Sequence, residues 1–417
     1  MERLLIKNIG MLATPEGREA RRGQEQGRIR ILKNAWILAE DGRIRALGEG
    51  EAPVPGSGQG EDGACAEVID AQGCLVTPGL VDAHTHLIFG GWRQYEMEQK
   101  LKGVPYLEIL ASGGGILSTV RATKAASEDE LYDKAKQALD EMLSFGTTTC
   151  EAKSGYGLDE ETELRMLRAI KRLNEDHPID LVPTFLGAHA LPPEFKDDRE
   201  AFISLLCDKV IPEVAGQGLA EYCDVFCESG VFTAEETRRI LLAGQKHGLR
   251  SKVHADEIEA IGGSQLAGEI GAVSAEHLIV CPDEGIESMA KGGTVACLLP
   301  ATSFYLGATF APARKMIEAG VPVAMATDFN PGSCPCLNMQ LVINLGCLRY
   351  RLTPEEVLTA VTLNGAAACG RAASRGSIEP GKLCDLVIWD APDLNYICYR
   401  LGSNLAKQVI KAGKRVR

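Results

Sequence analysis

Between residues 80 and 328 the chain repeats one pattern, in which a short apolar segment is followed by a longer segment of helical periodicity. Eight such units are the number that closes a (β/α)8 barrel. A doubly wound open sheet is the runner-up, and it is disfavoured because no Gly-x-Gly-x-x-Gly motif follows the first strand. We therefore predict an α/β fold built on a TIM barrel. Its strands are expected at 80–86, 147–153, 181–189, 223–228, 251–255, 274–278, 294–299 and 321–328.

The two ends of the chain lack helical periodicity, and their pattern indicates short strands separated by polar turns. We predict that they combine into one small β-sandwich domain, 1–77 with 371–417, beside a barrel of 78–370. Two loops in the first part, 17–27 and 50–63, are long, and the sequence does not define their role. The expected strands are 4–11, 29–38, 44–47 and 68–70 at one end, and 385–389 and 409–411 at the other.

The formal net charge of −13 argues against nucleic acid or an anionic membrane surface as the main partner. An anionic small-molecule substrate would therefore need a local cationic anchor. Membrane spanning is not expected, because no run of about 18 apolar residues is present. Residues 1–7 lack the apolar core of a secretion signal, so a cytoplasmic location is expected. The 14 cysteines are scattered through apolar stretches, which favours buried thiols over disulfides.

Polar side chains gather where the predicted barrel strands end, and five of the seven histidines are among them. His84 and His86 lie two residues apart at the end of the first strand, so both face the same side. Active sites of such barrels lie at these strand ends, and neutral imidazoles with a carboxylate suit Zn²⁺ or Fe²⁺. The pattern predicts a metal centre, whereas His177 and His247 are interpreted as structural. The strand-end residues are His84, His86, Glu151, Lys153, His189, Glu228, His254, Glu257, His277 and Asp328.

With these motifs the sequence resembles the amidohydrolase superfamily. The resemblance rests on 78–86 (PGLVDAHTH), on 376–387 (GSIEPGKLCDLV), and on His254, His277 and Asp328. Within the superfamily it is similar to the imidazolonepropionases, enzymes of histidine degradation. Four further stretches carry that closer likeness: 89–93 (FGGWR), 151–158 (EAKSGYGL), 184–189 (TFLGAH) and 326–333 (ATDFNPGS).

The resemblance implies one divalent metal ion, Zn²⁺ or iron as Fe²⁺ or Fe³⁺. It also implies which residues bind this ion and which take part in catalysis. The implied metal ligands are His84, His86, His254 and Asp328, and the implied catalytic residues are Glu257, His277 and Asp328. Substrate contacts are implied at Arg93, Tyr156, His189, Glu257, Asn330, Gly332 and Ser333.

The family's reaction is the hydrolysis of the ring amide of 4-imidazolone-5-propanoate to N-formimino-L-glutamate. The Arg93 guanidinium suits this substrate, because its planar fork can bind the propanoate carboxylate through two parallel hydrogen bonds. The loop 330–333 is expected to offer backbone N–H groups to an anion. Glu257 and Asp328 are both candidates to take the proton of the water that attacks the ring amide, and we favour Glu257 as the proton shuttle.

Other functions stay open from sequence alone, namely a base deaminase, a cyclic-imide hydrolase or a barrel that binds a metabolite without turning it over. A deaminase favours aromatic walls around a flat base, whereas aromatic residues make up only 5% of the chain. An imide hydrolase would need a second metal ion, which a carboxylated Lys153 could bridge. A homodimer is compatible with this architecture, although a single sequence defines no interface.

Overall fold

The computed structural model describes residues 2–53, 67–104 and 113–417. The strands of this part, in chain order, are β1 Arg3–Thr14, β2 Arg30–Glu40, β3 Arg43–Glu49, β4 Glu67–Asp70, β5 Leu75–Pro78, β6 Leu80–Asp82, β7 Thr147–Lys153, β8 Asp180–Ala188, β9 Tyr222–Cys227, β10 Arg250–Ala255, β11 Ser274–His277, β12 Val295–Leu298, β13 Val323–Met325, β14 Leu386–Trp389, β15 Ala406–Lys411 and β16 Lys414–Arg415.

Strands β6 to β13 form a parallel sheet in sequential order, with helices between them. The first and last strands meet through the residues just beyond them. His86 N–H donates to Phe329 O at 2.8 Å, and Asp328 N–H donates to His84 O at 3.1 Å. The sheet is therefore a nearly closed (β/α)8 barrel. All eight strands predicted between 80 and 328 are confirmed, the second with the predicted ends and the others with shifted ends.

The helices surround this barrel, and several of them begin at a capping box. Ser127, Thr233 and Thr353 each accept from the backbone N–H three residues on, where a glutamate returns the bond. A π turn, Leu206–Val210, joins the helices Arg199–Leu205 and Ile211–Gly216. The described helices are α1 Met97–Leu101, α2 Ile116–Ala125, α3 Glu128–Ser144, α4 Glu160–Asp176, α5 Arg199–Leu205, α6 Ile211–Gly216, α7 Ala234–Lys246, α8 Gly263–Glu269, α9 Asp283–Gly292, α10 Pro300–Leu306, α11 Ala313–Glu318, α12 Met339–Leu348, α13 Pro354–Val361, α14 Leu363–Ala368 and α15 Leu394–Tyr399.

The strands from the two ends of the chain join in one separate sheet, of order β16-β15-β14-β5-β1-β2-β3. The seam between the ends is the antiparallel pair β14 and β5, in which Val387 faces Thr77. Trp389 Nε1–H strengthens the seam by donating to Thr77 Oγ1 at 2.8 Å. The chain divisions 1–77, 78–370 and 371–417 stay predictions.

The long loop 17–27 reaches the N-terminal end of the barrel. Gln26 is fully buried and pairs with the backbone of Val323 in both directions, each bond being 3.0 Å long. The Arg21 backbone N–H donates to Asn364 Oδ1 at 2.7 Å, and the Arg21 carbonyl accepts from Asn364 Nδ2 at 2.9 Å. This loop therefore covers the end of the barrel opposite the predicted site. Most of the loop 50–63 lies outside the described residues.

Three layers of side chains fill the barrel. An apolar cluster that includes Val182, Tyr222, Val295 and Ala324 lies at the bottom. Above it is a layer of buried charges, and the histidines lie on top. Because alternate residues of a strand face the same side, Lys252 lies directly below His254 on β10.

No helix of the described chain is long and apolar enough to cross a membrane.

Candidate active site

Three imidazoles and one carboxylate converge at the C-terminal end of the barrel. Asp328 Oδ1 lies 3.4 Å from His84 Nε2 and 3.5 Å from His86 Nε2. His254 Nε2 faces His86 Nε2 at 3.4 Å. All four side chains are buried. The predicted metal-ligand set is thus brought together from β10 and from the segments that follow β6 and β13.

The bonding of these atoms fits a cation. Asp328 Oδ1 and His84 Nε2 are buried and make no hydrogen bond within the described part of the chain. A buried carboxylate oxygen without a donor is costly, and two facing imidazole nitrogens share at most one proton. A divalent metal ion bound by the four residues satisfies these atoms together. The ligand atoms of His84, His86 and Asp328 all lie within 4.8 Å of one another, as such a site requires.

The opposite ring nitrogens of two ligands face buried carboxylates. Asp224 Oδ2 lies 3.0 Å from His254 Nδ1, and Glu276 Oε2 lies 3.2 Å from His84 Nδ1. Partners of this kind fix the orientation and tautomer of a metal-binding imidazole. They leave Nε2 of each ring directed at the metal position.

Burial sets the protonation of these ligands. It lowers the pKa of His86 and of His254 well below the usual value, so both rings are neutral. Burial acts on His84 in the same direction, but Asp328 and Glu276 outweigh it and raise its pKa to about 9. Metal binding at His84 therefore displaces a proton.

Below the ligands lies a layer of fully buried charges, made of two lysines and three carboxylates. Lys153 Nζ lies 2.9 Å from Glu151 Oε2, 2.7 Å from Asp224 Oδ2 and 3.1 Å from Glu276 Oε2. Lys252 Nζ lies 3.0 Å from Glu151 Oε1. The Lys153 ammonium thus occupies the space between carboxylates where a second cation would sit, which favours a single metal ion over a bridged pair.

Glu257 and His277 lie beside the metal ligands. Glu257 Oε2 is 3.7 Å from His277 Nε2, and the Glu257 side chain is 17% exposed, which leaves it accessible from the cavity. Burial raises the pKa of Glu257. A carboxylate with a raised pKa is better matched to accepting a proton near neutral pH.

Left-handed backbone recurs at this end of the barrel. Asp256, His277 and Asp328 have φ values of 52°, 69° and 57°, and each lies at or just after the end of a barrel strand. Such values are uncommon for residues with a side chain and are concentrated at functional sites. The turns lead the chain out of the three strands at the end of the barrel where His254, His277 and Asp328 line the cavity.

A cavity of about 340 Å³ opens above the ligands. It brings together every predicted substrate contact, together with Lys100, Ile116, Phe226, Ile258 and Leu306, which the sequence did not indicate. A larger cleft of about 570 Å³ lies at the terminal sheet, far from the metal ligands, and no histidine lines it. The predicted contacts that line the first cavity are Arg93, Tyr156, His189, Glu257, Asn330, Gly332 and Ser333.

Arg93 is fixed at the edge of this cavity by a buried carboxylate. Its Nε and Nη2 donate to Glu96, with Nε–Oε1 and Nη2–Oε2 distances of 3.0 Å. Glu96 also accepts the Gly115 N–H at 2.7 Å. Gly332 packs against the guanidinium so closely that a Cβ there would lie 2.2 Å from Arg93 Nη1. Only glycine allows this close approach of the backbone to the guanidinium. The sequence did not indicate that Gly332 and Arg93 are in contact.

The loop after Asp328 is organised by the Asn330 side chain. Asn330 Oδ1 accepts the N–H groups of Gly332 and Ser333 at 2.8 and 2.7 Å. The expectation that these two N–H groups are offered to an anion is therefore wrong, because the loop satisfies them internally. The Ser333 hydroxyl contacts Asn330 at 3.1 Å and still lines the cavity.

His189 and Tyr156 form the opposite wall. The His189 ring stacks on His86 with centroids 4.8 Å apart, and its Nδ1 contacts Gly155 O at 2.9 Å. Burial lowers the pKa of His189 to about 4, so a neutral ring donates from Nδ1 and presents an acceptor at Nε2. The loop that carries Tyr156 is held by the buried Glu163 carboxylate, which accepts the N–H groups of Gly155, Gly157 and Leu158.

Comparison with known proteins identifies the family. The profile of the amidohydrolase family matches residues 75–416. An imidazolonepropionase from Alkaliphilus metalliredigens is 51% identical over 417 residues, which cover 99% of this chain and 97% of the relative. The chain belongs to the amidohydrolase family and, within it, to the imidazolonepropionases. A relative of the same name from Streptococcus sanguinis is also 51% identical, over 94% of this chain and 93% of its own.

Solved structures share the amidohydrolase fold. An adenosine deaminase from Xanthomonas campestris, with bound zinc, superimposes with a TM-score of 0.70 and 18% identity, over 99% of this chain and 92% of that one. An N-isopropylammelide isopropylaminohydrolase from Burkholderia multivorans gives 0.71 and 19%, over 100% and 98%. At such identities the likeness establishes the fold.

Proposed function

We propose that this amidohydrolase opens the ring amide of 4-imidazolone-5-propanoate with water and yields N-formimino-L-glutamate. One observation carries the proposal: the side chains of His84, His86, His254 and Asp328 converge, and the last three of them line the same cavity as Arg93. The relatives named imidazolonepropionase match over nearly the whole chain, which supports the same activity here. Either zinc or iron suits these ligands.

The chemistry needs a strong nucleophile and a polarised carbonyl, because a ring amide is a poor electrophile at neutral pH. A divalent metal ion held by the four ligands supplies both, by lowering the pKa of water and acting as a Lewis acid. Glu257 accepts the proton of the attacking water. It then delivers this proton to the ring nitrogen as the carbon–nitrogen bond breaks.

His277 and Arg93 complete the proposed site. His277 donates a hydrogen bond to the carbonyl oxygen as negative charge develops there, which stabilises the transition state. Arg93 pairs with the propanoate carboxylate and so provides the local cation that the net charge of −13 requires. Tyr156 and His189 form the wall that orients the ring. Asn330 shapes the loop that packs Gly332 against Arg93.

The substrate itself tests the proposal. Imidazolone-propanoate is generated in place by urocanase, and its ultraviolet absorbance is followed after purified enzyme is added. We expect rapid loss of absorbance, abolition by a chelator, and recovery with Zn²⁺ or Fe²⁺. Stable absorbance with metal-loaded enzyme would contradict the assignment, and cyclic amides and aminated bases would then be screened.

Arg93→Ala is expected to raise KM by roughly 10- to 100-fold, because a hydrogen-bonded charge pair contributes about 1.5–3 kcal/mol. Arg93→Lys keeps the charge but loses the fork, so its KM should lie between those of the wild type and Arg93→Ala. Steady-state kinetics with both variants provide the measurement. Arg168→Ala, on the outer surface of α4, is the matched control. An unchanged KM in Arg93→Ala would remove Arg93 from the substrate site.

A further inference from the structure

Glu228 follows β9 directly, and its carboxylate binds the loop that carries Glu257. Oε2 accepts the Ile258 N–H at 2.9 Å, and Oε1 accepts the N–H groups of Glu259 and Ser229 at 3.0 and 2.8 Å. Glu228 is only 1% exposed. One buried carboxylate therefore joins the end of β9 to the loop after β10, and hydrogen bonds to an ionised acceptor are among the stronger ones.

Apart from Glu228, the loop around Glu257 is held at its start, where the Val280 N–H donates to Asp256 O at 2.9 Å. It leaves β10 through Asp256 in left-handed conformation, with φ at 52°. The next two side chains are exposed: Ile258 lines the cavity and is 67% exposed, and Glu259 is exposed as well. Side-chain packing therefore contributes little after Glu257, and the backbone bonds to Glu228 have the larger share in fixing the loop.

We propose that Glu228 is a positioning residue, which holds Glu257 at the distance from the metal ligands that proton transfer requires. The Ile258 N–H belongs to the same peptide group as the Glu257 carbonyl. Its bond to Glu228 thus sets the orientation of the backbone from which the Glu257 side chain extends. The inference rests on the proposed function, in which Glu257 moves the proton.

The chain contains an internal comparison. Glu163 binds the loop of Tyr156 in the same manner, through the N–H groups of Gly155, Gly157 and Leu158. Tyr156 belongs to the substrate wall and Glu257 to proton transfer. Loosening the first loop should therefore act on KM, and loosening the second should act on kcat.

The test is a double-mutant cycle on metal-loaded enzyme, with Glu228→Gln, Glu257→Gln and the double variant. Glutamine keeps the size of Glu228 but accepts through one oxygen only. We expect kcat to fall roughly 10- to 100-fold in Glu228→Gln, the scale of a misplacement near 1 Å. Because the effect acts through Glu257, the same change in the Glu257→Gln background should lower kcat by no more than about twofold. Glu163→Gln, measured alongside, should change KM more than kcat.

A purely structural role would give a different result. It would lower kcat equally in both backgrounds, or weaken binding of Zn²⁺ measured by chelator competition, and either outcome overturns the proposal. Glu228→Asp keeps the charge and shortens the side chain by one methylene, so it enters the same cycle if Glu228→Gln does not fold. Failure of the proposed function appears separately, as absence of turnover by the wild-type enzyme.

Discussion

Glu257→Gln is expected to lower kcat by roughly 10²- to 10⁴-fold, with KM changed by less than about threefold. Glutamine has the same shape as glutamate but cannot accept the proton of the attacking water. The Glu257 side chain lines the cavity and lies 3.7 Å from His277 Nε2, so the substitution removes the proton acceptor without opening the site. Steady-state kinetics at equal metal content provide the measurement.

Glu259→Gln is the matched control, because this exposed glutamate lies two residues away on the same loop. A wild-type kcat in Glu257→Gln would mean that Asp328, the other candidate, accepts the proton of the attacking water. That outcome is not expected. Although burial opposes its charge, the neighbouring His84 and His277 rings lower the pKa of Asp328 to about 2, which makes it a weak base at neutral pH.

The order of the barrel strands could be predicted from sequence, because each strand is a short apolar run between helices with their own periodicity. The strand ends were less accurate. The first predicted strand, 80–86, ends at Asp82 in the structure, and the last, 321–328, ends at Met325. The left-handed backbone of Asp328 is incompatible with extended conformation, and local composition does not reveal it.

The predicted site residues are close together in space, yet much of what positions them was missed. Asp224, Lys252 and Glu276 were not singled out, although each is a charge inside a short buried strand. The signal was present as alternation, since Lys252 and His254 are two residues apart on one strand and must share a side. Gln26 and Val323, by contrast, are separated by 297 residues, and nothing local predicts their contact.

Lys153→Met is expected to lower the free energy of unfolding by about 3–5 kcal/mol, the cost of removing one partner from a buried ion pair. Lys153 is fully buried and contacts three carboxylates, those of Glu151, Asp224 and Glu276. Although burial opposes its charge, these neighbours raise the pKa of Lys153 above the usual value. Without the ammonium, Glu151 and Glu276 would keep Lys252 as a partner, whereas Asp224 would lose its lysine partner. The measurement is urea denaturation followed by tryptophan fluorescence.

Lys171→Met, on the exposed face of α4, is the matched control and should leave the urea midpoint unchanged. The same variant pair also separates stability from metal binding. Asp224 and Glu276 face both Lys153 and the metal-ligand histidines, so losing the lysine should let these carboxylates move and weaken the affinity for Zn²⁺. A wild-type midpoint in Lys153→Met would mean that water or a proton replaces the ammonium without cost. The buried charge layer would then have no part in holding the barrel together.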